Sequence, residues 1–199
     1  MKKFLLTSMM LVSAGTMVAE NGHDLWLKMP SSQETSVTVK GSMTPTIEIA
    51  KQELQDAWLG KKVTLTIGGE AESREAFSIE IEDGKPTIES KSDVGLLYGA
   101  YHLLRLQVIG ANVKDTALTE SPAFDVRILN HWDNLDGTVE RGYAGPSIFW
   151  APTPQQPKLI QEYARANASV GINAAVLNNV NASVRMLDRD YLEKVKAFA

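Results

Sequence analysis

Hydrophobic and polar residues alternate with a period of two along much of the first half of the chain. Four segments between residues 36 and 90 show this alternation, namely SVTVK, KVTLTIG, AFSIEIED and KPTIES. A period of two predicts β-strands with one buried face. The pairs Gly68-Gly69 and Asp83-Gly84 supply turn residues between the strands. The pattern therefore predicts a sheet that is covered on one side.

Two segments in the same region have helical periodicity instead. In IAKQELQDAWLG, one face of a helix collects Ala50, Leu54, Ala57 and Trp58, and Gly60 stands where a C-terminal cap is expected. In residues 92–110, Ser92 or Asp93 can cap a longer helix that ends at Gly110. The apolar stripe of this longer helix consists of Leu97, Tyr101, Leu104 and Val108. Strands and striped helices together predict an α+β layer in which a helix covers one sheet face. His102, inside the longer helix, is expected to be a packed or rim histidine.

The pattern changes after Pro122 to strand, helix, strand, helix. The segments are FDVRILN, PKLIQEYARANASVG, INAAVLNNVN and DRDYLEKVKAFA. The two strand segments, at 126–130 and 172–177, are apolar on both faces, and this order predicts parallel strands joined by helices. We expect the first helix to bury Leu159, Ile160, Tyr163 and Ala164 and to end at Gly171. We expect the second to be capped by Asp188 and packed through Leu192 and Val195.

The length of the chain limits this second region. A closed eight-fold β/α barrel needs on the order of 250 residues, whereas the chain ends at residue 199. Two β/α units neither close a barrel nor cover a sheet, so we expect the chain to be the front of a longer protein. A small self-contained α/β domain is the alternative.

Composition and charge exclude several classes of function. The formal net charge is −4 with no basic face, which argues against nucleic acid as a partner. The sequence has no cysteine, so disulfides and thiolate metal sites are excluded. The three histidines (His23, His102 and His131) have no metal-ligand spacing, and we expect no metal site.

The first residues have the three-part pattern of a secretory signal peptide. Lys2 and Lys3 precede an apolar stretch from Phe4 to Val12, and small residues follow. The stretch is too short to span a membrane. We predict a signal peptide over residues 1–19, cleavage after Ala19, and export to the periplasm or the extracellular space.

Polar side chains follow both strands predicted after Pro122. The first strand is followed by His131, Trp132, Asp133 and Asn134, and the second by Asn178, Asn179, Val180 and Asn181. Ligands bind beyond the carboxyl ends of strands in β/α folds. Asn offers donors and acceptors together, which suits a ligand covered in hydroxyl groups, and Trp offers a flat surface for a sugar ring. For Asn181 and Asp188 a role in turns and caps is the favoured interpretation. His131 is expected to orient its neighbours rather than act as a base.

The loop after the first strand is rich in glycine. Gly142 and Gly145 predict backbone with positive φ or a close approach. Arg141 either holds a carboxylate in bidentate fashion or pairs with an acid of a nearby loop. Three prolines (Pro152, Pro154 and Pro157) stiffen the connection to the next helix.

These segments resemble a known family. RILNHWDNLDGTVERGYAG, YARANASVGINAAVLNNVNAS and YLEKVKAFA are similar to the α-glucuronidases of glycoside hydrolase family 67. DVGLLYGAYHLLRL resembles the last helix of that family's N-terminal domain, which is similar to the accessory domain of β-hexosaminidases. The resemblance implies an N-terminal α+β accessory domain over residues 20–121. The first two β/α units of a catalytic TIM barrel would follow over residues 122–199.

The resemblance also implies an activity. Enzymes of this family remove α-1,2-linked glucuronic acid, or its 4-O-methyl ether, from the end of xylo-oligosaccharides by an inverting mechanism without a cofactor. The partners are then glucuronic-acid-substituted xylo-oligosaccharides, and the full-length enzyme is a candidate homodimer. Two alternatives remain. One is another exported glycoside hydrolase with a hexosaminidase-like accessory domain, and the other is a non-catalytic carbohydrate-binding protein.

Inversion requires two carboxyl groups roughly 6.5–9.5 Å apart. The resemblance implies that both come from later barrel strands, beyond this chain. Asp133, Asp136 and Glu140 match neither of them, so we assign no catalytic residue and expect the 199-residue chain alone to be inactive. Trp132 is the best candidate for lining the uronic-acid pocket, with Asn134, Asn178 and Asn179 as further substrate-binding candidates.

Overall fold

A five-stranded mixed sheet organises the first part of the chain. The computed structural model describes residues 24–29, 35–70, 73–111 and 116–198, so the predicted signal peptide lies outside the described residues. The strands are β1 (Ser36–Lys40), β2 (Lys62–Ile67), β3 (Phe77–Glu82), β4 (Lys85–Ser90) and β5 (Ala117–Glu120), and a short 3-10 helix (Leu25–Leu27) precedes them. We call the described residues up to Glu120 the N-terminal half.

The strand order in this sheet is β1-β2-β4-β3-β5. β1, β2 and β4 run parallel, and β3 is antiparallel to both β4 and β5. The four alternating segments are therefore confirmed as strands. Their apolar residues are buried, among them Val63, Leu65, Ile79 and Ile88. The other face carries a polar row in which Thr38 pairs with Thr64, and Thr64 with Thr87.

The first helix, α1 (Pro45–Ala57), begins where the Thr44 hydroxyl accepts a hydrogen bond from the Ile47 amide at 3.2 Å. Its predicted apolar face is buried as expected. The predicted cap at Gly60 is wrong, because the helix ends three residues earlier, at Ala57. A Cβ on Gly60 would lie 2.3 Å from the indole nitrogen of Trp58, so this position is glycine because the buried indole occupies the space.

The second helix, α2 (Asp93–Val108), is confirmed with its cap at Ser92, and Gly110, where φ is +65°, lies two residues past its last helical residue. A Cβ on Gly95 or Gly99 would lie within 2.5 Å of β4 side chains, so the helix approaches the sheet closely at these two positions. Val108 is 46% exposed, contrary to the prediction. Gln107 faces α1 instead, and its amide donates to the Ala57 carbonyl at 2.8 Å.

Two parallel strands and two helices form the C-terminal half, which we define as residues 121–198. The strands β6 (Ile128–Asn130) and β7 (Ala174–Val176) pair with Leu129 opposite Ala175, and the predicted parallel arrangement is confirmed. The helices are α3 (Gln156–Ser169) and α4 (Arg189–Phe198), with a 3-10 turn (Val184–Leu187) before α4. Both strands are shorter than predicted, because the Arg127 amide donates to the side-chain Oδ1 of Asn173 and not to a backbone carbonyl of the other strand, so the regular ladder begins only after these two residues.

Burial in the C-terminal half is lower than the sequence predicts. Ile160, Tyr163 and Val195 are partly buried, whereas Leu159, Ala164 and Leu192 are exposed. The helix α3 turns its Arg165 and Ser169 face toward the N-terminal half, which leaves part of its apolar stripe uncovered. Asp188 occupies the N-cap position of α4, and its carbonyl accepts from the amides of Tyr191 and Leu192.

The two halves meet through polar contacts. Arg105 donates to the Ser169 carbonyl at 2.8 Å, and the indole of Trp26 donates to the Ser169 hydroxyl at 3.0 Å. Two carboxylates of the N-terminal half, Glu53 and Glu75, pair with arginines of the C-terminal half. The contact is therefore held by directed hydrogen bonds.

Candidate functional site

The carboxyl ends of β6 and β7 lie side by side and carry the predicted polar loops. The His131 amide donates to the Val176 carbonyl at 3.1 Å, and the Asn179 amide donates to the Asp133 carbonyl at 2.5 Å. These two bonds continue the pairing past the strands. The structure thus brings the two predicted site segments together at one edge.

The loop after β6 folds on itself as a compact hairpin. Isolated bridges pair Asp133 with Val139 and Thr138 with Pro146. The Asn134 amide group donates to the Thr138 hydroxyl at 2.9 Å and to the Glu140 carbonyl at 2.8 Å. The predicted positive φ of the glycines is confirmed, with Gly142 at 89° and Gly145 at 94°.

Trp132 presents its side chain at the surface of this edge. The residue is 41% exposed, although its carbonyl is fixed by the Glu140 amide at 2.7 Å. An exposed indole on a fixed backbone can act as a platform for an apolar ring face. The position suits the predicted role.

The three candidate asparagines differ in how accessible their side chains are to a ligand. Asn179 is 5% exposed, and its Oδ1 accepts from the Asn181 amide at 3.0 Å, so it closes a turn. Asn178 is partly buried and donates to the Asn179 carbonyl at 3.1 Å. Asn134 borders an open groove of about 490 Å³, together with Asp136, Asn181, Arg185 and Tyr191.

His131 connects the loop to α3. Its Nε2 lies 2.7 Å from the Tyr163 hydroxyl, and its Nδ1 lies 3.7 Å from Oδ2 of Asp133. The ring meets Phe149 edge-on, with centroids 5.0 Å apart. Burial raises the pKa of Tyr163, and the charge of Asp133 adds to this shift. These contacts are of the orienting kind that the sequence predicts for His131.

Two buried aromatic residues beneath the site were not predicted from the sequence. Phe149 and Trp150 are 4% and 6% exposed. The Trp150 indole donates to the Leu177 carbonyl at 2.7 Å, just past β7, and its ring packs edge-on against Tyr191 at 5.6 Å. The adjacent aromatic residues in PSIFWAP indicate burial, but the prolines around them are typical of an exposed loop.

The acidic residues of the loop have structural partners. Asp133 is 3% exposed beside His131. The Thr138 hydroxyl and amide both donate to Asp136, and these hydrogen bonds lower the pKa of its carboxyl group.

Among the described residues no group of His, Cys, Asp or Glu could hold a metal ion. Within the same residues, no helix has the length and apolar character needed to cross a membrane.

A second, smaller cavity of about 230 Å³ lies between the two halves, at the amino ends of β6 and β7. It is lined by Glu75, Tyr98, His102, Arg105 and Arg127, among others. The ring of His102 packs against the ring of Phe77 with centroids 5.5 Å apart, so the prediction of a packed or rim histidine is confirmed. Burial and the charge of Arg105 lower the pKa of His102.

Comparisons with known proteins relate this chain to one family of glycoside hydrolases. Residues 107–199 match the glycosyl hydrolase family 67 middle domain. The probable alpha-glucuronidase A of Aspergillus clavatus is 30% identical over all of this chain, which covers 28% of that relative. The probable alpha-glucuronidase A of Neosartorya fischeri is 33% identical over 89% of this chain and 26% of the relative. The chain thus spans about a quarter of the length of the curated relatives it matches.

One solved structure supports the fold. A GH138 enzyme targeting pectin rhamnogalacturonan II superposes with a TM-score of 0.55 and 16% sequence identity. The match covers 83% of this chain and 22% of the other. At this identity the comparison shows a shared fold alone.

Proposed function

Because the chain belongs to glycoside hydrolase family 67, we propose that the full protein is an exported α-glucuronidase. Its substrates are xylo-oligosaccharides that carry α-1,2-linked glucuronic acid or its 4-O-methyl ether. The observation that carries this proposal is the family match over residues 107–199, a segment that contains both loops of the candidate site. The proposal includes a TIM barrel that begins at residue 122, after an accessory domain over residues 20–121.

Within the candidate site, Trp132 serves as the platform for the sugar. This residue is exposed in the same loop as Asn134, which borders the groove, and a pyranose ring has an apolar face that fits an aromatic surface. Asn178 and the Oδ1 of Asn134 are the candidate partners for hydroxyl groups. Asn179 contributes by holding the second loop against Asp133.

The reaction is hydrolysis with inversion. A base carboxylate takes a proton from water, the water oxygen attacks the anomeric carbon, and an acid carboxyl gives its proton to the xylose oxygen that leaves. Both carboxyl groups come from parts of the protein beyond this chain. Asp133 is engaged with His131 and Asp136 with Thr138, so the described loop supplies binding rather than proton transfer.

The full-length protein and an aldouronic oligosaccharide test the proposal. We expect release of glucuronic acid without added metal or nucleotide, with the β-anomer formed first in proton NMR spectra. Initial release of the α-anomer would contradict inversion, and absence of hydrolysis would contradict the activity.

A substitution tests the role of Trp132. Loss of an aromatic platform costs about 1–3 kcal/mol by analogy with base–aromatic stacking. Trp132→Ala should therefore lower kcat/KM roughly 5- to 150-fold at an unchanged melting temperature. Trp132→Phe should recover part of the loss. Phe124→Ala is the matched control, since Phe124 is 74% exposed and precedes β6 at the opposite end of the strand. A lower melting temperature with unchanged kinetics would show that Trp132 is only structural.

A further inference from the structure

A network of side chains joins the amino ends of β6 and β7. Arg127 precedes β6 and Asn173 precedes β7. The Arg127 amide donates to Oδ1 of Asn173 at 2.9 Å, and the Asn173 amide donates to the Arg127 carbonyl at 3.1 Å. These two residues therefore start the pairing of the strands.

A carboxylate from the N-terminal half closes this network. Glu75 lies between β2 and β3, and its Oε2 accepts from the Arg127 guanidinium at 2.6 Å. Its Oε1 accepts from the Asn173 amide group at 2.9 Å. The side chains of Glu75 and Arg127 are 18% and 19% exposed, so water reaches this pair only partly. One carboxylate thus contacts the start of both strands.

The other two nitrogen atoms of the Arg127 guanidinium also donate hydrogen bonds. Its Nε donates to the Gly171 carbonyl at 2.5 Å and its Nη1 to the Phe124 carbonyl at 2.6 Å. The guanidinium also lies over the Tyr98 ring at 5.8 Å. Because these contacts hold the guanidinium in place, we interpret Arg127 as a structural residue rather than as a binding group for an anionic ligand.

The strands that start at this network are short. β6 and β7 pair over three residues each, roughly 10 Å of strand. A shift of one residue would turn every side chain to the opposite face. The site loops begin directly after these residues, where the His131 amide bonds to the Val176 carbonyl. The register at the amino ends therefore determines how the two site loops face each other.

We propose that Glu75 is a positioning residue for the candidate site. It sets the register of β6 against β7 from the N-terminal half, and thereby fixes the spacing between Trp132 and Asn178. The expected change in KM rests on the proposed function, whereas the expected change in hydrogen-exchange protection does not.

Three variants of the full-length protein test this role. Glu75→Ala removes both acceptors. Glu75→Gln keeps one acceptor and adds a donor group, so it can satisfy only one of the two donors that face it. Glu53→Ala is the matched control, because Glu53 also binds an arginine of the C-terminal half, Arg165, but on α3 rather than at the strand starts.

Two measurements separate positioning from stability. The first is the hydrogen-exchange protection of the His131 amide relative to amides of β4. We expect Glu75→Ala to lower this ratio at least tenfold, Glu75→Gln to lower it less, and Glu53→Ala to leave it unchanged. The second is the KM for an aldouronic oligosaccharide, measured well below the melting temperature. It should rise about tenfold in Glu75→Ala and stay the same in Glu53→Ala.

The outcomes are distinguishable. If Glu75→Ala lowers the melting temperature as Glu53→Ala does, and changes neither the exchange ratio nor KM, the positioning role is wrong. If the wild-type protein does not hydrolyse the substrate, the proposed function fails. The exchange ratio then still decides whether Glu75 fixes the strands.

Discussion

The ion pair between the buried Glu53 and the partly exposed Arg165 offers a direct test of how the two halves are joined. The guanidinium Nε lies 2.5 Å from Oε1 of Glu53, and Nη2 lies 2.8 Å from Oε2. Tyr101 also donates to Oε1 at 3.1 Å. The Glu53 side chain is only 11% exposed. Arg165→Met would leave this carboxylate with the tyrosine hydroxyl as its remaining donor within the described structure.

The expected cost follows from these distances. Breaking a buried ion pair by removing one partner costs about 3–5 kcal/mol. The Arg165 side chain is 43% exposed, so water can partly replace the lost donors. We therefore expect a loss of about 2 kcal/mol in the free energy of unfolding. For a chain of this size that corresponds to a fall of roughly 4–8 °C in melting temperature.

Urea unfolding followed by circular dichroism measures the loss, and a double variant tests its cause. Glu53→Gln with Arg165→Met removes both charges and keeps an acceptor for Tyr101, so it should lose less than Arg165→Met alone. Lys158→Met is the control on the same helix. Lys158 pairs with Glu162 at 3.4 Å but is 81% exposed, and its loss should stay within about 0.5 kcal/mol. If Arg165→Met lies within that range, or if the double variant is the less stable, the argument is refuted.

Three further changes test individual contacts. Tyr163→Phe removes the hydroxyl beside His131 and should cost about 1 kcal/mol in urea unfolding, and no change would show that this contact contributes nothing to stability. Gly60→Ala places a methyl group against the buried Trp58 indole and should lower stability by about 1–3 kcal/mol, whereas a neutral result would mean that the indole moves aside. The pKa of His102 is lowered from 6.5 in the folded state, so the unfolded state binds more protons below that pH. Stability should therefore fall as the pH drops below about 6.5, and His102→Gln should remove that part of the slope if His102 is its source.

Local periodicity was sufficient to predict much of the fold. The stripes of α1 and α2 and the alternation of β2, β3 and β4 are properties of neighbouring residues, and the structure buries the expected faces except at Val108. The parallel pairing of β6 and β7 followed from the strand–helix–strand order. The exposure of part of the apolar face of α3 could not be predicted from periodicity, because the orientation of a helix also depends on what its polar face binds.

The contacts that join distant parts of the chain could not be predicted. Glu53 and Arg165 are separated by 112 residues, and Glu75 and Asn173 by 98. No local pattern distinguishes these carboxylates from solvated ones. At the candidate site, the sequence placed the two loops at one edge correctly. It did not show that the Asn179 side chain closes a turn, because an asparagine in a turn and one that binds a ligand have the same local sequence.

The distribution of the apolar core along the chain has a consequence for biosynthesis. Every fully buried member of the main core cluster lies between Leu27 and Leu104. A ribosome adds about 5–20 residues per second, so this core can assemble several seconds before Asn173 has been synthesised. The elements that carry Glu53 and Glu75 can then already be folded when α3 and β7 emerge. The direction of translation thus makes the first sheet and its helices a template on which the later, less buried elements are assembled.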